Sequence, residues 1–247
     1  MKLVGRLVRA ELLKARTLRT NWAVLAGLAL IVVLFVTLSI SQQSEKELSG
    51  DTGLRGVLPV GGYLSCFFAL AIGIMGMAGE YRHGTMGFSL LAAPARWQLV
   101  VAKLLAYVVV GALLSLLATT LTYLIAGPMM DAKDAGFSLG SERPKQILLG
   151  SVISGALFGA IGVGLGALLR DQVLALFVGI GFMLLVENLL GGVAPEVAKF
   201  FPSGAQSALA RASGDDLLDP AIGGLVLLGY AVLLGAGGGI LVLRRDL

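Results

Sequence analysis

The side chains that could do chemistry are few in this sequence of 247 residues, and their spacing builds no familiar catalytic site. His83 is the single histidine and Cys66 the single cysteine, so the usual zinc ligand sets cannot be assembled. The dipeptide Gly-Lys never occurs, which excludes the phosphate loop, and HExxH is absent. We therefore expect no catalytic residue, metal or cofactor on this chain.

Two charged features stand out because their surroundings are apolar. A charged interlude that begins at Glu80 separates two long apolar runs, and Glu187 lies near the end of another run. Charges inside membrane segments mark transport paths and ion relays. Glu187 therefore has two interpretations, as a carboxylate that caps the end of its segment or as part of a substrate path.

The composition indicates an integral membrane protein. Hydrophobic residues make up 57% of the chain and charged residues only 14%, whereas soluble domains carry about 25% charged residues. So few charges cannot cover the surface of a soluble domain. The net charge of +4 is weak evidence for nucleic-acid binding, and the distribution of the charges along the chain is more informative than their sum. One cysteine permits no intrachain disulfide.

Six apolar runs are long enough to cross about 30 Å of hydrocarbon as helices. They lack the alternation of barrel strands, so we predict an all-α polytopic protein that forms a single transmembrane domain over residues 1–247. The predicted spans are Trp22–Ser41, Val57–Gly79, Leu99–Ala126, Ile147–Leu169, Gln172–Leu190 and Ala221–Leu243.

Charge asymmetry predicts that both termini are cytoplasmic. With this orientation the inside carries 12 basic and four acidic residues, and the outside seven basic and ten acidic residues. The alternative, a first span removed as a signal peptide after Ser39-Ile-Ser41, is disfavoured because the apolar run exceeds the usual 7–15 residues.

The N-terminal segment, residues 1–20, has the period of an amphipathic helix. Leu3 and Leu7 fall on one side and Arg6 and Arg9 on the other. We expect a helix that lies at the membrane interface and contacts lipid headgroups, with a possible second role in docking a partner. The simpler interpretation is an orientation signal alone.

The segment at residues 191–220 is rich in glycine and proline and lies between the last two spans. Phe200, Phe201 and Pro202 either re-enter the membrane and close the outer end of a path, or cover it from outside.

The charged interlude and its surroundings, residues 80–98, are predicted to be a cytoplasmic loop with a helix–break–helix form. Glu80 to Thr85 would start a short helix, with Thr85 or Ser89 as a cap, and Pro94 would stop it. Its simplest interpretation is a solvated loop that only orients the spans.

This stretch resembles the first cytoplasmic loop of type-2 ATP-binding-cassette (ABC) exporter permeases. That family shows an E-[RY]-x-x-G-T core, an apolar stretch, Pro-x-Arg, and a Lys that enters the third span. The matching residues are Glu80-Tyr81-Arg82-His83-Gly84-Thr85, Leu90-Leu91, Pro94-Ala95-Arg96 and Lys103. The resemblance extends to the basic start, the six spans and Phe200–Gly204, which is similar to the family's re-entrant turn. The Tyr-Arg-His core departs from the Arg-Glu of many members.

The resemblance implies a coupling helix that docks on a separate ABC ATPase subunit, which would hold the ATP and Mg. The implied contact residues are Glu80, Tyr81, Arg82, His83, Gly84, Thr85 and Met86. It also implies pairing with a second copy of this or a similar permease, and a prokaryotic plasma membrane. The expected function is therefore the permease subunit of an ATP-driven exporter. The alternative is a stand-alone secondary carrier or a structural or sensory six-span protein.

Overall fold

The computed structural model describes residues 2–48, 50–92, 95–133, 142–214 and 217–244. Within these ranges every regular element is a helix, which confirms the predicted all-α class. In chain order the helices are α1 (Lys2–Thr17), α2 (Arg19–Gln42), α3 (Glu45–Leu48), α4 (Gly50–Val57), α5 (Pro59–Arg82), α6 (Met86–Ala92), α7 (Arg96–Asp131), α8 (Glu142–Leu169), α9 (Gln172–Gly181), a π-helical turn (Phe182–Val186), α10 (Glu187–Val193), α11 (Pro195–Ala198), α12 (Pro202–Leu209) and α13 (Pro220–Arg244).

Six helical stretches of the described chain are long and apolar enough to cross a membrane, and each contains one of the predicted spans. They are Arg19–Gln42, Gly50–Arg82, Arg96–Asp131, Glu142–Leu169, Gln172–Val193 and Pro220–Arg244. The helices run a few residues beyond the apolar limits because polar first and last turns continue the helix into the headgroup region. The third stretch is the longest, since Pro128 lies inside α7 without ending it.

The glycine-rich helix α8 lies at the centre of the bundle, against α5, α7 and α13. A Cβ atom built on Gly159 would lie 2.2 Å from the carbonyl oxygen of Tyr107, and one on Gly162 would lie 2.3 Å from that of Leu70. Only glycine permits such backbone contact between helices, which replaces the missing hydrophobic effect in lipid with close packing. The α8 glycines therefore pack within the bundle.

The spans define two ends of the bundle. At one end, which we call the α1 end, α1 packs on the first turns of α7, and Arg170 after α8 donates to the carbonyl of Leu241 near the end of α13. At the opposite end, the α12 end, helix α12 packs on the first turns of α8 and α13, against Gly150 and Gly223.

The outer surface of the bundle is apolar. Helices α2 and α9 expose large side chains such as Phe35 and Phe177, whereas the polar side chains Ser115 and Ser154 are buried and bond to backbone carbonyls. Large apolar side chains are unfavourable in water and favourable in lipid. Polar side chains are buried and bonded to the backbone because lipid offers them no hydrogen-bond partner. The chain is therefore a multi-pass membrane protein.

Candidate functional site

A buried ionic cluster joins three helices at the α1 end. Its centre is Lys103 in the second turn of α7, whose side chain is completely buried. The Lys103 ammonium donates to Glu11 Oε2, Glu80 Oε1 and the carbonyl of Gly76, each at 2.9 Å. An ammonium has three N–H donors, so Lys103 is fully satisfied without water.

Lys14 of α1 completes this ionic cluster, which we define as Glu11, Lys14, Glu80 and Lys103. Lys14 donates to Glu80 through a short contact and to Glu11 at 3.4 Å. Burial lowers the pKa of Lys14, but its bonds to the Glu80 and Glu11 carboxylates outweigh that effect and hold the pKa above its ordinary value. Two acids and two lysines make the ionic cluster neutral, and it fixes α1 to both α5 and α7.

The chain reverses its direction tightly just after Glu80, the cluster residue near the end of α5. Helix α5 ends at Arg82, Gly84 adopts a positive φ of 66°, and helix α6 starts at Met86 directly after Thr85. Glycine is the residue type that takes this left-handed conformation without steric cost. We call Arg82, His83, Gly84, Thr85 and Phe88 the coupling turn, and all five are exposed.

The structure corrects two details of the predicted loop. Residues 80–82 end the second span and do not begin a short helix, because α5 continues unbroken through them. The carboxylate of Glu80, expected to contact a partner, is instead 5% exposed and bonded to lysines of its own chain. The predicted break at Pro94 lies outside the described residues.

Two further residues of the predicted contact set face the bundle. Met86 is buried in the core cluster and attaches α6 to the body of the protein. Tyr81 is partly buried, and the Arg170 guanidinium lies 5.3 Å from the centre of its ring, a cation–π contact. Of the predicted set, the structure therefore leaves Arg82, His83, Gly84 and Thr85 at the surface.

A second polar site lies at the α12 end, around Glu187. Its Oε2 atom accepts the backbone N–H of Ser203 at 2.9 Å, in the first turn of α12. The Oε1 atom is buried and has no hydrogen-bond partner within the described parts of the chain. Glu187 thus caps a helix, as one interpretation of the sequence proposed, but the helix is α12 and not the end of its own span.

A cavity of about 400 Å³ opens beside this carboxylate, and we call it the outer cavity. It is lined by Tyr63, Met183, Glu187, Asn188, Gly191, Pro195, Ala198, Lys199, Ser203, Gly204, Ser207 and Leu217. Of the other predicted gate residues, Phe201 stacks edge-to-face on Phe182 with ring centres 5.5 Å apart, Pro202 is buried at the start of α12, and Phe200 is exposed.

Sequence reasoning missed the ionic cluster, although signals for it exist. Lys103 lies four residues inside a predicted span, and a lysine at that depth needs an acidic partner. The candidates were Glu80, at the end of the preceding span, and Glu11, on a helix otherwise rich in arginine. Glu187 is therefore not the one charge inside the spans of the described chain, because Glu80 and Lys103 also lie within spanning helices.

No group of three or more histidine, cysteine, aspartate or glutamate side chains that could hold a metal ion occurs among the described residues. The two polar sites are an ion-paired cluster that joins three helices and a carboxylate that lies beside a cavity.

Comparison with known families agrees with this architecture. No curated protein matches the sequence. A family model described as ABC-2 family transporter protein matches residues 6–211, which include most of α1, five of the six spanning stretches, the ionic cluster, the coupling turn and Glu187. The match covers well over half of the sequence, and this chain is therefore a member of the ABC-2 family of transporter proteins.

Proposed function

We propose that this membrane transporter is the permease subunit of an ATP-driven exporter, and that a separate ATPase subunit moves it by binding the coupling turn. The observation that carries the proposal is the exposed reversal between two spanning helices in a chain of the ABC-2 family. The chain has no phosphate loop, so ATP hydrolysis would have to be supplied by another protein.

The coupling turn has the chemistry of a docking surface. Arg82 and His83 offer positive or hydrogen-bonding groups, and Phe88 offers an aromatic ring that is 75% exposed. Arginine and aromatic side chains are enriched among residues that dominate binding energy. A matching ATPase groove would hold acidic side chains opposite Arg82 and an apolar pocket for Phe88.

The ionic cluster would carry force from the coupling turn into the spans. Glu80 lies two residues before Arg82, and its bonds to Lys103 and Lys14 join α5 to α7 and α1. Removing one partner of a buried ion pair costs about 3–5 kcal/mol, so this joint resists separation. A displacement of the turn would then move two spans and α1 as one body.

The proposal places the α1 end in the cytoplasm of a cell whose plasma membrane holds the protein, as the distribution of basic residues favours. A second permease copy would complete the substrate path. The exposed apolar side chains of α2 and α9, among them Phe35 and Phe177, would supply its interface.

The experiment that tests this proposal compares Arg82→Glu with Lys145→Glu, an exposed basic residue at the start of α8 near the α12 end. The ATPase subunit is encoded beside the permease or identified by co-purification. We expect Arg82→Glu to reduce ATPase co-purification and transport at least about tenfold, since one charge-assisted contact contributes about 1.5–3 kcal/mol. Lys145→Glu should change neither. Equal co-purification and transport for the two variants would refute docking at the coupling turn.

A stand-alone secondary carrier is the second candidate, because buried ionisable groups within spans are typical of carriers. The neutral and mutually bonded ionic cluster weakens this interpretation, since no proton site is left free at Lys103. Proteoliposomes with the chain alone and a proton or sodium gradient separate the candidates. Gradient-driven transport that Glu187→Gln abolishes would favour the carrier.

A further inference from the structure

Glu187 stays on the buried side of its helix because of the π-helical turn that precedes it. Ala175, Gly179, Met183 and Glu187 are buried at intervals of four residues, while their neighbours Leu184 and Leu185 are exposed. In a regular α-helix an interval of four drifts about 40° around the axis at each step. The wider turn at 182–186 corrects this drift and directs Glu187 towards α12.

The Glu187 carboxylate can accept more hydrogen bonds than the described residues donate to it. Glu187 is 7% exposed, Oε2 accepts one backbone N–H, and Oε1 has no donor in the described structure. The Ser203 hydroxyl of α12 lies beside this carboxylate but carries no charge. Glu80 Oε2 is also without a hydrogen-bond partner in the described residues, but two lysines neutralise the Glu80 carboxylate. A buried carboxylate is normally paired with a cation, so Glu187 implies an absent cationic donor.

Other basic groups near the outer cavity do not supply that donor. Lys199 lines the cavity, but its ammonium bonds to Glu196, an exposed residue of the short helix α11. No salt bridge to Glu187 is formed by the described residues, in contrast to the paired carboxylates of the ionic cluster. The donor would therefore come from outside the chain.

The outer cavity suits a particular class of donor. Its walls combine the Glu187 carboxylate with the aromatic ring of Tyr63 and the apolar side chains of Met183 and Leu217. A carboxylate attracts a cation, an aromatic face adds cation–π attraction, and apolar walls favour an apolar body. Its volume of about 400 Å³ lies within the range of small-molecule sites.

We propose that the outer cavity binds an organic ammonium group carried on an apolar body, with Glu187 as its counter-ion. As a statement of the exporter's substrate class this inference rests on the proposed function, whereas binding itself does not. The ammonium has two sources, a free amphiphilic amine or the headgroup of an aminophospholipid in the surrounding bilayer.

The test measures binding of 4-phenylbutylamine and its neutral counterpart 4-phenylbutanol to the purified chain by calorimetry. The chain is held in nanodiscs of phosphatidylglycerol, which contains no amine, and empty nanodiscs supply the background. We expect the amine to bind more tightly than the alcohol. Glu187→Gln should weaken amine binding about tenfold to hundredfold, the equivalent of one charged hydrogen bond, and leave alcohol binding unchanged.

Two variants control this measurement. Glu142→Gln removes an exposed carboxylate at the same end, whose partner Lys145 does not line the cavity, and should preserve amine affinity. Gly191→Leu adds a side chain at the cavity lining, where a built Cβ meets no atom within 4 Å, and should block binding while Glu187 remains. Unchanged amine affinity in Glu187→Gln or in Gly191→Leu would overturn the proposal.

Addition of phosphatidylethanolamine to the nanodiscs distinguishes the two sources. If the lipid amine is the natural ligand, it will compete with 4-phenylbutylamine in the wild type and not in Glu187→Gln. Absence of competition identifies the free amine as the ligand class. Amine binding with no ATPase co-purification would refute the proposed function alone, and ATPase coupling without amine binding would refute only this inference.

Discussion

The two ends of the bundle use buried carboxylates in different ways. At the α1 end, Glu11 and Glu80 share two lysines, and the central Lys103 ammonium has an acceptor for each of its three N–H groups. At the α12 end, Glu187 has one backbone donor and a second oxygen without a partner in the described residues. Glu80 Oε2 is likewise without a hydrogen-bond partner there. The two ends therefore differ in charge pairing, since lysines neutralise both carboxylates at the α1 end and no described cation pairs with Glu187.

This difference separates a structural role from a binding role. A buried charge with a complete set of partners fixes the arrangement of helices, because any movement would leave it unpaired. A buried carboxylate beside a cavity retains the capacity to accept a further donor. The comparison therefore predicts that substitutions at the α1 end mainly affect stability, whereas substitutions at Glu187 mainly affect ligand binding.

The largest effect is expected for Lys103→Met, which keeps the length of the side chain and removes its charge. Glu11 and Glu80 would then share Lys14 alone, and we expect unfolding free energy to fall by about 3–5 kcal/mol. Thermal unfolding of the purified protein in detergent measures the loss. Lys145→Met, at an exposed position in α8, serves as the control and should leave the melting temperature unchanged.

An intermediate effect is expected when the two ends are compared directly by the same substitution. Glu80→Gln removes the charge that two lysines share and should cost about 1–3 kcal/mol. Glu187→Gln retains an oxygen that accepts the Ser203 N–H and should cost less than about 1 kcal/mol. Unfolding curves of both variants check the order. If Glu187→Gln is the more destabilising, the distinction between the two ends fails.

The smallest effect is expected for Lys14, because its side chain is 39% exposed and solvent screens its ion pairs. Lys14→Met should cost less than about 1 kcal/mol. The folded pKa of Lys14 is raised, so its contribution is complete below the ordinary value of 10.5 and is lost as the pH rises through the folded pKa.

Melting temperatures of the wild type and Lys14→Met should therefore converge only above pH 10.5. Arg9→Met, an exposed change on the same helix, should give a constant difference across that range. Convergence at neutral pH would show that Lys14 is not held by the ionic cluster.

The spanning helices could be predicted from sequence because their signal is local. A run of about 20 apolar residues needs a helix to satisfy its backbone in lipid, whatever its neighbours are. The packing role of the α8 glycines was predictable for the same reason, since small residues mark close helix contacts. The helix ends moved by a few residues, where polar first turns extended them.

The depth of Lys103 in its span indicates a buried acidic partner, but the identity of the partners depends on tertiary contacts and could not be predicted. Glu11 and Lys103 are 92 positions apart, and nothing local indicates that α1 returns to α7. Glu187 was found, because a carboxylate in an apolar run is conspicuous, and its capping role was one of the interpretations. Its cap partner on α12 was not predicted, since only the folded chain brings Ser203 beside it.

The neutrality of the ionic cluster has an electrical consequence. Moving one elementary charge through the full membrane potential changes the energy by about 2.3 kcal/mol per 100 mV. Glu11, Lys14, Glu80 and Lys103 travel together with a summed charge of zero. Rocking of the helices that carry them therefore displaces no gating charge from this joint, and its energetics are insensitive to voltage.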